Sequence, residues 1–304
     1  MSVLLLHDTF LKPQSTVAAY FASFISDTKV YPDSQYLQLN LIQRFVNKLC
    51  GKFICYTYGN WNTRLNDYEV IIVYVQKNSA ALLKYISANK QPYQRIIAWY
   101  WNPICQCLHP DKIRNLDCEL WSFDPADCQE FNLNFNTTYY FSNLKLPSIL
   151  KKSVNVFFCG LNKGRRQMLE DIKLRFERIG ITYVFHVIDE KAPVSQQLPR
   201  LTYQEYLEHL ASSDAILDVL QDGQEGMTLR VMEALFHHKK LITTQKAIMK
   251  AEFYHPDNIF VIGEDSWAEM KNFLDRPLHS VSKEIVEKYD FSMWIQRFGI
   301  ELVE

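Results

Sequence analysis

Short apolar runs alternate with amphipathic stretches along most of the chain. Val3–Leu6 reads as a first strand and Phe53–Thr57 as a weaker second one. Tyr68–Val75, apolar except at Glu69 and rich in β-branched residues, has the pattern of a strand buried on both faces. Ser79–Lys90 has helical spacing, with Leu82, Leu83 and Ile86 on one side, and Arg95–Trp101 and Glu119–Phe123 are further strands. From Phe131 to Lys152 the periodicity fails. Asn132, Asn134, Asn136, Pro147 and Lys151-Lys152-Ser153 predict irregular chain and a linker.

A second series then begins. Strands are expected at Val154–Cys159, Thr182–Ile188, Ala215–Leu220, Lys240–Thr244 and Ile259–Ile262. Helices are expected at Arg165–Gly180, Tyr203–Ser213, Thr228–His238, Ser266–Leu274 and Ser282–Phe298. The first of these helices places Met168, Ile172, Phe176 and Ile179 on one face and stops at Gly180. Strand-helix-strand order predicts an α/β protein of two doubly wound, Rossmann-like domains, over residues 1–150 and 151–280. Ligands are expected in a cleft between them, at the carboxyl ends of the strands. The last segment, 281–304, is expected to cross back onto the first domain as a helix, through Ile285, Phe291, Trp294, Ile295 and Phe298. No internal repeat is present.

Composition changes this picture in few places. Hydrophobic residues at 48% and charged residues at 22% of 304 exclude a disordered chain. Thirty-three basic against 34 acidic residues give a net charge of −1, which argues against nucleic acid held by overall charge. No nucleic-acid partner is therefore expected. Aromatic residues reach 14%, which suits deep cores and sugar-stacking surfaces alike. No apolar run approaches the ~18 residues of a membrane span. The N-terminal segment lacks a basic region before its apolar run, so a cytosolic protein with reduced thiols at its seven cysteines is expected.

Two segments concentrate the chemistry. In the first, the buried strand Ala215–Leu220 runs into a loop with Gly223, Glu225 and Gly226, a helix opens near Thr228, and another strand follows. The exposed N–H groups of that helix start favour an anion. The second segment, Phe158-Cys-Gly-Leu-Asn-Lys-Gly-Arg-Arg-Gln, leaves the first strand of the second series and also enters a helix. Gly160 and Gly164 permit a tight turn, and Lys163, Arg165 and Arg166 bring positive charge to the end of a helix where cations are disfavoured, which points to a bound anion. It is neither a Walker loop nor Gly-x-Gly-x-x-Gly.

Glu225-x7-Glu233, with Gly226 after the first glutamate and Ala234-Leu235 after the second, resembles the signature of GT-B fold glycosyltransferases. The surrounding Gly-x-Thr-x-Arg-x-x-Glu-Ala-Leu and Lys-Lys-Leu-Ile-Thr-Thr also resemble bacterial enzymes of lipopolysaccharide and capsule synthesis, over about residues 154–262. The resemblance implies a donor nucleotide sugar on the second domain. Gly160, Asn162, Lys163, Arg165, Arg166, Gly226, Thr228 and Arg230 would bind it, Glu233 would hold the ribose, and Glu225 would stand by the reacting sugar. Basic residues at the matching loop neutralise the leaving diphosphate in that family, so no metal and no other cofactor is expected. It also implies a glycan or glycolipid acceptor and is compatible with peripheral attachment at the inner face of a membrane.

On the first domain, His7 and Asp8 end one strand and Trp99-Tyr-Trp-Asn102 ends another. Asp8 is the candidate base for an acceptor hydroxyl; His7, Trp101 and Asn102 are candidate acceptor contacts, with two of the three aromatics expected in the core. Cys105-x-Cys107-x-His109 lacks the spacing of a zinc site. His237-His238-Lys239-Lys240 ends a helix, where cations suit the dipole. Asp-x-Asp and Gly-x-Ser-x-Gly are both missing, which disfavours metal-dependent sugar transfer and serine hydrolysis. The reading is a metal-independent glycosyltransferase acting on a bacterial surface glycan. Its rivals are a non-catalytic nucleotide-binding or scaffold protein of the same fold and a nucleotide-sugar epimerase.

Overall fold

The computed structural model describes residues 1–7, 17–25, 29–38, 56–149, 153–221 and 223–301. The chain forms two compact units, Met1–Asn136 with Gln296–Glu304, and Thr137–Ile295.

The first unit carries β1 (Val3–His7), α1 (Val17–Ala22), β2 (Val30–Ser34), β3 (Tyr36–Gln38), β4 (Tyr56–Tyr58), β5 (Val70–Tyr74), α2 (Ala80–Asn89), β6 (Arg95–Tyr100), β7 (Glu119–Ser122), α3 (Pro125–Phe131) and β8 (Asn134–Phe135). Among the described residues its main sheet is parallel throughout, in the order β2-β1-β5-β6-β7-β8, with β3 and β4 a separate antiparallel pair. Strands β1 and β5 are buried along their whole length, as their aliphatic sequences require of central parallel strands. The expected helix 79–90 forms as α2, with Leu82, Leu83 and Ile86 in the core. The unpredicted strand β2 lies at the sheet edge, where Pro32, lacking an N–H, is tolerated and where half-exposed residues blur the apolar pattern. The unpredicted helix α3 is short and announced only by its cap, the Asp124 carboxylate accepting from Ala126 N–H at 3.0 Å.

The second unit carries β9 (Val154–Leu161), α4 (Arg166–Ile179), β10 (Tyr183–Ile188), α5 (Tyr203–Ala211), β11 (Ser213–Asp218), α6 (Leu229–Phe236), β12 (Lys240–Thr243), β13 (Ile259–Val261), α7 (Met270–Asp275), α8 (Lys283–Glu287) and α9 (Phe291–Gln296). Its parallel sheet runs β10-β9-β11-β12-β13. Helix α4 buries Leu169, Ile172 and Phe176, whereas Met168 is exposed. The i, i+3, i+7 stripe is thus one residue out of phase with the expected one at its start.

The chain divides elsewhere than at residue 150. The segment from Thr137 belongs to the second unit, because its aromatic residues find their partners there: Tyr139 packs on Trp294 (centroids 4.5 Å apart) and Phe141 on Phe291 (5.1 Å). The expected single helix over 282–298 is two short helices, and Phe291, Trp294 and Ile295 are buried within the second unit. Only the chain from Gln296 onward joins the first unit. There the Phe298 ring meets Trp121 edge-on at 4.9 Å, and its carbonyl accepts from Arg95 at 2.8 Å. Cys105, Cys107, Cys118, Cys128 and Cys159 are not disulfide-bonded, and no described helix is long and apolar enough to cross a membrane.

Candidate functional site

The sheet order of the second unit defines where a ligand fits. Strand β10 lies on one side of β9 and β11 on the other, so the chains leaving β9 and β11 part at their carboxyl ends and open a crevice. The segments that leave these strands, 160–166 and 219–228, are the two that the sequence singled out.

Two guanidinium groups occupy that place. Arg165, the residue before α4, is 9% exposed; its Nη1 donates to the Val219 carbonyl at 2.8 Å, its Nε to the Asn162 carbonyl at 3.3 Å, and its Nη2 to the Leu161 carbonyl. Arg230, on the first turn of α6, donates from Nη2 to the Cys159 carbonyl at 2.6 Å and from Nη1 to Asp218 Oδ1 at 3.4 Å, while its buried Nε has no hydrogen-bond partner. Both lie over the Phe158 ring, at 5.3 and 5.0 Å from its centroid, where the aromatic quadrupole offsets part of their mutual repulsion. Gly160 lets them close on the strand: a Cβ there would stand 2.7 Å from Arg230 Nη2 and 3.1 Å from Arg165 Nη2. Among the described residues, the Asp218 carboxylate bonds to Arg230. Fully buried, it also accepts from Thr228 Oγ1 at 2.9 Å and from Thr243 Oγ1 at 3.0 Å. The buried Glu233 carboxylate also acts on Arg230 through space. Burial, and then the like charge of Arg230, push the Arg165 guanidinium down to about 10, so it stays charged at neutral pH and an anion beside it would relieve both costs.

The remaining basic residues separate. Arg166 is exposed and paired with Asp189 at 2.5 Å, so it is not grouped with Arg165 and Arg230. Lys163 is exposed on a left-handed turn (φ 42°) followed by Gly164 (φ 86°). Asn162 organises the turn, its Oδ1 accepting the Arg166 N–H at 3.0 Å and its Nδ2 donating to Asp189 at 3.2 Å.

Glu225 is exposed in the loop ahead of α6, and Gly226 beside it is buried. Thr228 starts α6, its hydroxyl donating to Asp218 rather than capping its own helix. Glu233, expected at a ribose, lies in a buried hydrogen-bond network. It is 1% exposed, and its oxygens accept from the Tyr203 hydroxyl at 2.7 Å and from the Tyr206 hydroxyl. Tyr140 extends the network, hydrogen-bonded to the Tyr203 hydroxyl at 3.0 Å and to His237 Nε2 at 2.8 Å. Burial pushes the Glu233 carboxyl up to about 7, against the two hydroxyls and Arg230, which pull it down. Helix α6 turns this side chain towards α5, and the two tyrosines that hold it lie 27 and 30 residues earlier, beyond any local pattern.

On the first unit, His7 ends β1 and is buried. Asp8 lies outside the described residues. Trp99 and Tyr100 are fully buried, whereas Trp101 is half-buried with its ring 5.5 Å from Tyr74, and Asn102 beside it is also half-buried. Beyond the expected residues, Asp218, Phe158, Thr243 and Gln245 shape the second-unit site. None of the four carried a sequence signal of its own.

Neither a family model nor a curated protein matches the chain. Solved structures do match. A DNA-modifying β-glucosyltransferase studied with and without uridine diphosphoglucose superposes over 98% of this chain and 98% of its own, at 13% identity and a TM-score of 0.56. An α-glucosyltransferase in complex with UDP and a 13-mer DNA superposes over 96% and 91%, at 10% identity and a TM-score of 0.50. The second match overturns the expectation of no nucleic-acid partner, because a protein of this fold was solved with DNA bound and whole-chain net charge does not report a local surface. What the likeness establishes is architecture: two Rossmann-like α/β units in one chain, the GT-B fold.

Proposed function

We propose that the protein is a glycosyltransferase that moves a sugar from a uridine diphosphate sugar to an acceptor hydroxyl. The observation that carries this reading is the Arg165–Arg230 pair at the switch point of the second sheet, Arg165 buried and Arg230 partly so, with the buried Asp218 carboxylate bonded to Arg230. In such a transfer the bond from the sugar's anomeric carbon to the diphosphate breaks with its electron pair, and negative charge grows on the departing oxygen. Two fixed guanidinium groups stabilise that charge as it forms, at no cost of reorganisation. The starts of α4 and α6 add their dipoles, and Lys163 adds a further cation on the turn between β9 and α4. This preformed positive charge supplies what a metal would otherwise supply, so transfer should persist in EDTA. Glu225 stands by the reacting sugar in this reading, and Asp8 takes the acceptor's proton as the new bond forms, with His7, Trp101 and Asn102 contacting the acceptor.

Two acceptor classes have support. The motif around Glu225–Glu233 supports a bacterial surface glycan, and the fold likeness to a DNA-modifying enzyme supports DNA. The test is turnover of UDP-glucose and related donors, read as UDP release and as mass gain on duplex DNA or on surface oligosaccharide. UDP release with mass gain on either acceptor supports the reading and names the class. UDP binding without turnover of any donor would favour a non-catalytic binding protein, and stabilisation by no nucleotide in a thermal-shift screen would remove the donor site altogether.

A further inference from the structure

Gln245 follows β12 and is 3% exposed. Its Nε2 donates to the Glu225 carbonyl at 2.5 Å. A carbonyl only accepts, so the amide nitrogen must face it, which leaves Oε1 buried without a partner. A buried acceptor left unmade costs folding free energy that a methionine of similar size would avoid. What the amide adds in return is the donor to Glu225.

The two residues before it act in the same sense. Thr243 Oγ1 donates to Asp218 Oδ2 at 3.0 Å and accepts the Gln245 N–H at 3.0 Å. Thr244 accepts the Leu220 N–H on its hydroxyl at 2.9 Å and donates its own N–H to the Asp218 carbonyl at 3.1 Å. Three consecutive residues therefore grip the chain at Asp218, at Leu220 and at Glu225. The far end is held as well, by Thr228 on Asp218 and by Thr138 Oγ1 on the Met227 carbonyl at 2.6 Å. Between these anchors Gly223 is in the left-handed region (φ 74°), with nothing within 4 Å of a would-be Cβ.

We propose that Gln245 is a positioning residue whose amide holds the loop that presents Glu225, so that it governs sugar transfer and not nucleotide affinity. The catalytic half of this inference rests on the glycosyltransferase reading; the structural half does not. Gln245→Met removes the donor at nearly constant volume, and Gln245→Asn keeps an amide one methylene too short to reach. Hydrogen exchange of a peptide covering 223–228 should quicken by about tenfold or more in both variants, with UDP affinity within about twofold of wild type. Transfer should fall on the order of tenfold in kcat with donor KM little changed. In a Glu225→Gln background the same Gln245→Met change should cost less than about twofold, because its effect passes through Glu225. Unchanged exchange at 223–228 in whichever variant melts cooperatively would overturn the proposal, as would a full additive loss in the double variant. A wild-type protein that turns over no donor would sink the glycosyltransferase reading, while the exchange measurement would still decide whether Gln245 holds the loop.

Discussion

Arg165 and Arg230 sit where two like charges would ordinarily avoid each other, and the residues around them explain how they do so. Phe158 presents its ring to both, Asp218 offsets one charge, and four backbone carbonyls take their N–H groups. Arg230→Ala should weaken UDP binding by about 1.5–3 kcal/mol, the range for a charge-assisted hydrogen bond, and flatten its salt dependence. Calorimetric titration at two salt concentrations checks this; unchanged affinity would place the anion elsewhere. Arg166→Ala should change affinity far less, since Asp189 already neutralises that side chain. Glu233 makes a different prediction. It holds its proton more tightly in the folded state, to about 7, than the usual carboxyl near 4.5, so its contribution to stability is complete below that ordinary value and is lost as pH rises through about 7. His237 acts in the opposite sense: burial and nearby Lys239 push its imidazole down to about 4, so its contribution is present above the ordinary imidazole range and is lost as pH falls. Comparing wild type with Glu233→Gln isolates the glutamate. The stability advantage of wild type, from urea unfolding, should shrink between pH 5 and pH 8 by an amount on the order of 1–3 kcal/mol. A constant difference would mean that Glu233 ionises as an ordinary carboxyl.

At the scale of elements, strand β9 does two jobs at once. Val156 and Phe158 pack in the core, and two residues later Gly160 leaves room for both guanidinium groups. Gly160→Ala should therefore separate stability from binding. The atoms in its way are the far ends of two flexible side chains, so the fold should change by less than about 1 kcal/mol while the displaced guanidiniums lower UDP affinity about tenfold. A thermal melt beside a titration reads both; lost affinity with a collapsed melting transition would count against this account. Helix α4 shows how far periodicity alone reaches. Its existence, length and glycine stop follow from local spacing, but Leu169 and not Met168 faces the sheet, because the phase of the stripe is decided where the helix packs.

At the scale of the molecule, the chain leaves its first unit at Asn136 and returns to it at Gln296. The return is anchored by Phe298, 2% exposed, with Trp99 and Trp121 edge-on to its ring. Phe298→Ala should cost about 3–5 kcal/mol of stability, the range for emptying a buried aromatic site. UDP affinity should stay near wild type below the melting temperature, since every group assigned to the nucleotide lies in the second unit. A parallel loss of affinity at temperatures where the variant is folded would contradict that assignment.

The sequence by itself determined the two α/β series, nearly all the interior strands and the two segments at the switch point of the second sheet. These are local properties: a run of β-branched residues, a 3.6-residue stripe, or glycines and charges at a strand-to-helix turn declare themselves within about ten residues. Tertiary structure alone decided which of the clustered basic residues share a site, since Asp189 claims Arg166 from 23 residues away while Val219 and Asp218 receive Arg165 and Arg230. It likewise decided that Glu233 is sealed under Tyr203 and Tyr206. It moved the division between units to residue 137, because Tyr139 and Phe141 find their partners at Trp294 and Phe291, some 150 residues further on. Periodicity names the face a residue occupies. What waits on the other side of that face is brought there by a different part of the chain.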